Sequence, residues 1–477
     1  MVDSWLRRLD DLVGGRARRH VLLLLASVLG LASADQATIG ANATQLRSAL
    51  HLSHADLGLI AAVSGLVGAA ATVPLGSLVD RVNRTRLLAV GLVTWAVVMA
   101  VSAGTSSFGQ LVGVRCLLGG VVAVAFPAAA SLIGDVFEPA ERGRIWGYVL
   151  TGELIGSGFG FAVAGSLASI SWRASFIALA LPALGLAVLM WRLPEPRRRG
   201  GSDQPADLTL SAAQEQARDS TAEPYEDLIL DEDPQRWPLP RAVKYVLRIR
   251  TNVVLFVAGA AGYFFFAGVR AFGVEFVKGQ YGIGQSFASS LALILGLFAI
   301  AGVLLSGWLS DRLSGGTRLV NRVYIGAAAL GAATLLFVPA LLVSRVAFGV
   351  LALGGAAFFL AAINPPLDAG RLDIMHPSLW GRAEAVRTML RQPAEAVAPI
   401  LFGLLADNLF GGGHTGLRAT FLLMLIPLAI SVPVLLHARR TYPRDVATAA
   451  MSIEQTRRQP YPASVAADSS SRAWTNA

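Results

Sequence analysis

The chain has 477 residues, of which 54% are hydrophobic and only 15% are charged, and its net charge is +9. An average globular chain carries about 25% charged residues, so the composition excludes an ordinary water-soluble enzyme and a disordered or collagen-like chain. A single cysteine, Cys116, excludes an intramolecular disulfide and a cysteine-based zinc or iron–sulfur site. The six histidines show no metal-ligand spacing, so we expect no metal and no cofactor.

Twelve apolar stretches are long enough to cross a bilayer, which requires about 20 residues each. They form two groups of six, and we therefore predict an all-α integral membrane protein with 12 transmembrane helices in two pseudo-symmetric six-helix halves. The predicted spans are 19–42, 55–79, 85–105, 107–134, 143–167 and 172–193, followed by 252–278, 285–310, 319–340, 344–370, 382–408 and 417–438.

The segment between the two groups has a different character. From Gly201 to Gln235 it holds ten acidic residues and one basic residue, so its local charge is −9 and the rest of the chain carries +18. Such a segment buries too little apolar surface to fold alone. We predict an N-terminal half over 1–193, an acidic cytoplasmic linker over 194–250 that ends in an amphipathic helix on the membrane surface, a C-terminal half over 251–440, and a disordered cytoplasmic tail over 441–477.

The arginines fall in alternate loops, and the remaining loops are nearly free of them. Because positive residues favour the cytoplasmic side of a membrane, both termini and the linker are predicted to be cytoplasmic, with the protein in the cell (inner) membrane. The excess positive charge thus indicates topology, and we expect no nucleic-acid partner. These arginines are Arg7, Arg8, Arg16, Arg18, Arg19, Arg81, Arg84, Arg86, Arg142, Arg144, Arg312, Arg318, Arg322, Arg382, Arg387, Arg439, Arg440 and Arg444.

A short motif occurs once in each half, after the second span of that half. Each copy has a glycine four residues before an Asp-Arg pair, and a small residue there lets neighbouring helices approach closely. We expect the acid and the base to latch helix ends as the halves rock. Polar residues near the end of span 10 either belong to the same gate or are ordinary helix-end residues. The candidate gating residues are Gly76, Asp80, Arg81, Arg84, Gly307, Asp311, Arg312, Asn364 and Asp368.

These two motif copies resemble the cytoplasmic loop motif of the major facilitator superfamily, and the resemblance covers essentially the whole chain. A narrower resemblance joins the stretches Ala34-Asp35-Gln36-Ala-Thr38-Ile39-Gly40 and Arg115-Cys-Leu-Leu-Gly119-Gly120 to the spinster subfamily. The resemblance implies the fold of that superfamily, with spans 1 and 4 lining the cavity. It also implies export of a lysolipid, which some members of the subfamily drive with protons.

Few charges lie within the spans, and such charges usually face a cavity or a partner because each costs about 2.5–3.5 kcal/mol or more at bilayer mid-depth. Asp35 in span 1 and Arg115 in span 4 fall at comparable depth. An aspartate beside arginine stays ionised and takes a proton when it is separated and desolvated. The pair is therefore either a proton-controlled switch or a static ion pair. Glu153 in span 5 is either a second protonation site or a buried residue paired with an arginine.

Several residues are candidates for substrate binding. Arg115 suits bidentate contact with a phosphate; Arg270 is either a second anion contact or extends toward the membrane interface. Glu275 lies five residues after Arg270, so the two need not face the same way. Aromatic residues either line a tunnel for an acyl chain or simply pack and face lipid. The substrate-binding candidates are Arg115, Arg270, Glu275, Phe126, Tyr263 and Phe266.

Together these features predict a monomeric, proton-coupled secondary transporter that exports a lysophospholipid or related amphipathic lipid by alternating access. The alternative is a multidrug or small-metabolite:proton antiporter of the same superfamily. A membrane enzyme is disfavoured because the loops are short and carry no acyl- or glycosyltransferase motif. A primary pump is disfavoured because the chain has no phosphate-binding loop.

Overall fold

The computed structural model of the chain describes residues 15–79, 82–137, 142–196, 210–220, 222–234, 237–314 and 319–458. Nearly all of these residues are helical, and each predicted span corresponds to one helix or to two consecutive helices. The spans of the first half are Arg16–Ala41 (span 1), His54–Val79 (span 2), Arg84–Ala103 (span 3), Phe108–Val122 with Ala125–Val136 (span 4), Arg142–Ala168 (span 5) and Trp172–Arg192 (span 6). A short helix, Ala43–Leu50, follows span 1.

The second half repeats this arrangement after the linker. Its spans are Arg250–Tyr281 (span 7), Gln285–Ser314 (span 8), Asn321–Leu342 (span 9), Val346–Ala362 with Asn364–Asp373 (span 10), Trp380–Leu404 with the π-helical turn Leu405–Leu409 (span 11) and Gly413–Arg458 (span 12). Eleven helices of the described residues are long and apolar enough to cross a membrane. Span 11 falls short because of its charges, which are Arg382, Glu384, Arg387, Arg391 and Glu395.

Spans 4 and 10 occupy equivalent positions in the two halves, and both are broken. Span 4 breaks at Ala123–Val124, shortly before Pro127, and span 10 breaks at Ile363, just before Pro365 and Pro366. Proline interrupts a helix because it has no backbone N–H and its ring crowds the preceding turn. Each half therefore carries one interrupted span whose segments can present different faces.

The two halves touch closely on one side of the bundle. We call the side that carries the linker the linker side and the opposite side the far side. Near the far side, Cβ atoms added to Gly40 and Gly58 would lie only 2.0 Å from the Arg270 carbonyl oxygen and 2.2 Å from that of Pro399. Glycine thus lets span 1 approach span 7, and span 2 approach span 11, backbone to backbone. These contacts seal the bundle on the far side.

The chain continues as a helix beyond span 12, in contrast to the prediction. Residues 441–458, predicted to be disordered, extend the last helix to Arg458, whereas 459–477 lie outside the described residues. The reason is an apolar stripe at helical spacing, with Tyr442, Val446 and Ile453 fully buried. Thr448 and Ser452 accept hydrogen bonds from linker backbone N–H groups, so the linker and the tail pack on each other.

The amphipathic helix of the linker spans Leu239–Arg248, but its apolar face does not lie on the membrane surface as predicted. Ala242 and Val246 are fully buried, because the helix packs against span 11 and the start of span 7. Its outer face is basic and pairs with acids of the linker, Arg241 with Glu232 and Arg248 with Asp227. From residue 210 onward the described linker is therefore attached to the second half.

Candidate functional site

A buried ion pair joins spans 1 and 4. The Nη1 group of Arg115 donates to both carboxylate oxygens of Asp35, at 2.8 and 3.0 Å. Asp35 is 3% exposed and Arg115 is 1% exposed, with its guanidinium 5.3 Å from the ring of Phe176. The Nε and Nη2 groups of Arg115 have no hydrogen-bond partner among the described residues. The pair thus leaves two buried donors available to a ligand or to a rearranged neighbour.

An apolar cleft lies on the linker side of this pair, next to the break in span 4. It is open and is lined by residues of spans 1, 3 and 4, among them Leu31, Leu92, Trp95 and Val122. The indole N–H of Trp95 is buried, and no described residue accepts a hydrogen bond from it. The cleft therefore combines an apolar surface with one unused donor. Phe126, the aromatic residue predicted in this region, is 53% exposed on the segment that follows the break.

Four charged residues lie within electrostatic range of one another where the halves face each other. Glu153 of span 5 interacts with Arg391 and Glu395 of span 11, and Arg270 of span 7 interacts with the same two residues. We call Glu153, Arg270, Arg391 and Glu395 the central cluster. The sequence analysis singled out Glu153 and Arg270 separately but missed the two residues of span 11, although charges within a span are a readable signal.

Aromatic rings accompany the two arginines of the central cluster. The guanidinium of Arg391 lies 4.3 Å from the ring centre of Tyr263, and that of Arg270 lies 6.0 Å from the ring centre of Phe266. Within the part of the chain that the structure describes, the Nε group of Arg391 has no hydrogen-bond partner. The structure thus brings four of the sequence candidates, Glu153, Arg270, Tyr263 and Phe266, together with a cation that can still donate a hydrogen bond.

The predicted gate residues of span 10 connect helices within one half. Asp368 pairs with Arg371 at 2.7 Å, and Arg371 pairs with Glu384 of span 11 at 3.1 Å. Glu384 also pairs with Arg387 at 2.5 Å. Asn364, Asp368, Arg371 and Arg387 border an open cleft. Asp368 therefore belongs to a network that ties span 10 to span 11 inside the second half, and Asn364 lines the cleft beside it.

The remaining gate candidates are placed as follows. Arg84 is fully buried and binds Asp135 and Glu195 within the first half. Gly76 lies in span 2, whereas Asp80 and Arg81 lie outside the described residues. In the second half, Asp311 lies in the last turn of span 8. Gly307 makes only ordinary contact with Pro365, and Arg312 is exposed over the ring of Trp308 on its own helix. The close approach predicted at Gly307 is therefore not required there.

A second charged cluster, which the sequence analysis missed, joins the two halves at the far side. Arg47 and His54 come from the first half and Glu275 and Asp407 from the second; we call these four residues the far-side cluster. His54 Nδ1 lies 2.5 Å from Asp407, whose other oxygen accepts the Ala55 N–H at 2.9 Å. Arg47 binds both Glu275 and the Nε2 atom of His54.

The far-side cluster corrects the prediction for Glu275. This residue was a candidate substrate contact, but it lies in the seal between the halves, where Arg47 binds it and His54 Nε2 is 3.6 Å away. It is separated from Arg270 because the two side chains are five residues apart on one helix. Arg270 stays with the central cluster, and Glu275 helps to close the far side.

The chain is similar in sequence to a known protein family and to known transporters. The sequence profile of the Major Facilitator Superfamily matches residues 25–369. The chain is 26% identical to the probable L-galactonate transporter of Escherichia coli (strain K12) over 397 residues, which cover 81% of this chain and 82% of that protein. It is 35% identical to protein spinster homolog 3 of Danio rerio over 133 residues, 27% of this chain and 26% of that protein.

A solved structure shares the fold over nearly the whole chain. It is a bacterial homolog to the human lysosomal transporter spinster, in an inward-facing and unoccupied conformation, with a TM-score of 0.73 and 18% sequence identity over 90% of this chain and 98% of that one. The predicted all-α fold of twelve spans and the resemblance to spinster proteins are confirmed. So is the prediction of a transporter instead of an enzyme, and the chain belongs to the Major Facilitator Superfamily.

Proposed function

We propose that this transporter exports a lysophospholipid or a related amphipathic lipid and that a proton gradient drives the export. The observation that carries the proposal is the buried Asp35–Arg115 pair, whose arginine keeps two donors free. A proton-coupled carrier needs an acid that can exchange a cationic partner for a proton, and an anionic substrate needs a guanidinium with unused donors. Both requirements are met within one ion pair.

Proton binding acts through the packing of spans 1 and 4. While Asp35 is charged, its two contacts with Arg115 hold these spans together. When Asp35 takes a proton, the charge-assisted bonds are lost and a different packing of the two spans is favoured. A ligand or proton shifts a conformational equilibrium only by its differential affinity for the two states. Asp35 supplies that difference, and Glu153 of the central cluster is a second proton site in this proposal.

The substrate is proposed to bind with its anionic head near the arginines and its chain in apolar surroundings. Arg115, Arg270 and Arg391 offer donors to a phosphate, which suits guanidinium geometry. The apolar cleft beside the break in span 4 extends on the linker side of Arg115, and we assign the acyl chain to it. Tyr263, Phe266 and Phe126 would flank the same path. An amphipath fits this division of polar and apolar surface better than a sugar does.

The linker side is proposed to be the cytoplasmic side of the cell (inner) membrane, because the start of span 1, the end of span 12 and the arginines Arg84, Arg86, Arg312 and Arg322 lie there. The far-side seal then makes the observed arrangement open toward the cytoplasm. This is the state in which an exporter takes up its substrate. The proposed working unit is the monomer, because the Asp35–Arg115 pair and the central cluster each form without a residue from a second chain.

A second candidate function is a multidrug or small-metabolite:proton antiporter. The observation that favours it is the pair of carboxylates in the central cluster, Glu153 and Glu395, which suit a cationic substrate. The relative named as an L-galactonate transporter matches most of this chain and is consistent with a small metabolite. The two candidates differ in the charge and the apolar surface of the substrate.

Reconstitution into liposomes tests the proposal. The wild type is expected to move labelled lysophospholipid, and a pH gradient is expected to increase the rate. Asp35→Asn should lose the stimulation by the gradient, because the amide takes no proton, while Asp219→Asn in the exposed linker should keep it. Asparagine retains a hydrogen bond to Arg115, and size-exclusion chromatography confirms that each variant is folded.

The outcomes separate the claims. A wild type that moves no lysophospholipid contradicts the substrate, and transport of a cationic dye in the same vesicles then supports the second candidate. Gradient stimulation that survives in Asp35→Asn contradicts the role of Asp35 in proton coupling.

A further inference from the structure

The far-side cluster places one histidine between the two halves of the transporter. His54 is the first residue of span 2 and is fully buried. Its Nδ1 atom lies 2.5 Å from Asp407, and its Nε2 atom lies 2.7 Å from Nη1 of Arg47. The His54 carbonyl oxygen packs so closely on span 11 that a Cβ added to Gly403 would lie 2.3 Å from it. Any opening of the far side must therefore separate His54 from Asp407.

The hydrogen-bond pattern assigns a neutral form to the imidazole in this arrangement. Arginine can only donate, so Nε2 accepts from Arg47 and carries no proton. The remaining proton is on Nδ1, which donates to the Asp407 carboxylate. The far-side cluster then contains one cation, Arg47, and two anions, Glu275 and Asp407. Two carboxylates of the second half thus face a single positive charge of the first half.

A proton on His54 would correct this imbalance. The new Nε2–H group would give up the bond from Arg47 Nη1, now 2.7 Å away, and turn to the Glu275 carboxylate, whose Oε1 lies 3.6 Å from Nε2. The imidazolium would then bridge both carboxylates of the second half, and hydrogen bonds between ionised partners are about twice as strong as neutral ones. Because histidine belongs to one half and both acids to the other, this gain stabilises the closed far side alone.

Two further charged residues lie near His54, Lys278 and Asp56. Their charges have opposite signs, so they leave the net charge around His54 unchanged. Lys278 interacts with Glu275 from the same helix, and Asp56 is held by the backbone N–H and hydroxyl of Ser53. On span 12, the ring of His414 stacks on Phe276 with 5.6 Å between the ring centres. The ring of Phe272 lies 6.1 Å from that of His54. The rings of Phe272 and Phe276 supply no acceptor that competes with the two carboxylates.

We propose that His54 is a gating residue whose protonation from the far side locks the two halves together there. The proton enters while the far side is open, and it favours closure by strengthening the bonds to Glu275 and Asp407. Acidity on the far side then promotes the return of the empty transporter toward its linker-side opening. The proposal depends on the proton-driven cycle proposed above, but not on the identity of the substrate.

Labelling of a single cysteine tests this gate without any substrate. In a Cys116→Ser background, the reporter is Ser289→Cys, since Ser289 is buried against Gly165 near the far side. A membrane-impermeant maleimide reaches it only when the far side opens. The exposed loop variant Ser106→Cys gives the labelling rate of an open thiol and corrects for the chemical effect of pH. The measured quantity is the ratio of the two rates.

The ratio of labelling rates is expected to rise at least fivefold when the pH increases from about 5 to about 8. Fivefold is roughly the smallest change in affinity that one site typically causes at another. His54→Gln, which keeps a donor for Asp407 but does not ionise, is expected to remove this rise. His51→Asn is the matched control, because His51 is exposed nearby in a left-handed conformation that asparagine tolerates. This control should keep the rise.

A ratio that depends on pH equally in the parent and in His54→Gln overturns the proposal. Asp407→Asn gives an independent measurement if His54→Gln does not fold, because it removes the carboxylate that an imidazolium needs, and an unchanged rise there also overturns it. The substrate claim is tested separately, since a failed lysophospholipid assay leaves the labelling ratio unaffected.

Discussion

In each half, three equivalent residues bind one another at the linker-side ends of the spans. The charge of the central residue is opposite in the two halves. In the first half, Arg84 at the start of span 3 binds Asp135 near the end of span 4 and Glu195 after span 6. In the second half, the equivalent positions are Arg322, Asp373 and Tyr442. The centre of the first group is therefore a base between two acids. The centre of the second group is an acid.

This inversion determines what each centre can recruit. Arg84 also donates to Ser131 and to the Pro196 carbonyl, so the first centre holds the beginning of the linker. Asp373 instead accepts from linker Ser211 at 3.0 Å and from Tyr442 at 2.8 Å. The linker is thus anchored on one half at its start and on the other half further along. A base recruits carbonyl and carboxylate oxygens, whereas an acid recruits hydroxyl groups of a second segment.

The largest effect is expected from removing the centre of the first half. Arg84→Gln leaves Asp135 and Glu195 with a neutral partner in a buried site, and breaking a buried ion pair costs about 3–5 kcal/mol. The thermal unfolding midpoint in detergent should fall strongly, or the protein should not accumulate.

Arg86→Gln is the matched control for this change. Arg86 lies two residues after Arg84 in the first turn of span 3, and its side chain is exposed. Its guanidinium lies 5.9 Å from the ring centre of Trp191. Its unfolding midpoint should match the wild type. Equal midpoints for the two variants would contradict the buried role of Arg84.

A smaller, pH-dependent effect is expected in the second half, next to Asp373. Burial lowers the pKa of His376 to about 4, although Asp233 acts in the opposite direction. An unfolded histidine has a pKa of about 6.5, so the unfolded chain binds more protons between these values and stability falls as the pH drops. From pH 7 to about pH 5 the loss is about 2 kcal/mol.

Unfolding midpoints at both pH values measure this effect. His376→Gln should lose about that much of the pH dependence, and His437→Gln, at an exposed position, should keep all of it. A full pH dependence in His376→Gln would show that other groups are responsible.

The smallest effect is expected from changing Tyr442, which binds the central Asp373 in the second half. Tyr442→Phe removes one hydrogen bond to Asp373 but leaves Arg322 and Ser211 in place, which costs about 1 kcal/mol. Limited proteolysis of the linker over 210–234 should become faster. The control Tyr324→Phe, at an exposed position on span 9, should leave the proteolysis rate unchanged. A loss as large as that of Arg84→Gln would remove the contrast between the two centres.

The sequence was sufficient for the spans and for the Asp35–Arg115 contact because both follow from local quantities. Span positions follow from runs of apolar residues, and the depth of each charge follows from its place in its span. The two side chains were expected at similar depth, and the structure brings them to 2.8 Å. The functional roles assigned to them remain predictions.

The far-side cluster could not be predicted in this way. Arg47 and His54 lie in segments of ordinary polar composition, and their partners are 228 and 353 residues away in sequence. Only the packing of one half on the other brings them together. The tail was different, because Tyr442, Val446 and Ile453 recur at helical spacing; this signal was outweighed by the polar and arginine-rich composition around it.

The charges of span 11 have a consequence for how the protein is made. Arg391 and Glu395 lie 11 and 15 residues into the helix that starts at Trp380, which places them about 17 and 22 Å along it, within the hydrocarbon region. A lone helix with such residues enters lipid at a cost of about 2.5–3.5 kcal/mol or more for each charge. The charged residues that Arg391 and Glu395 meet in the bundle are Glu153 of span 5 and Arg270 of span 7. Membrane insertion of span 11 is therefore coupled to its assembly with spans of both halves, and the hydrophobicity of the nascent segment alone does not decide it.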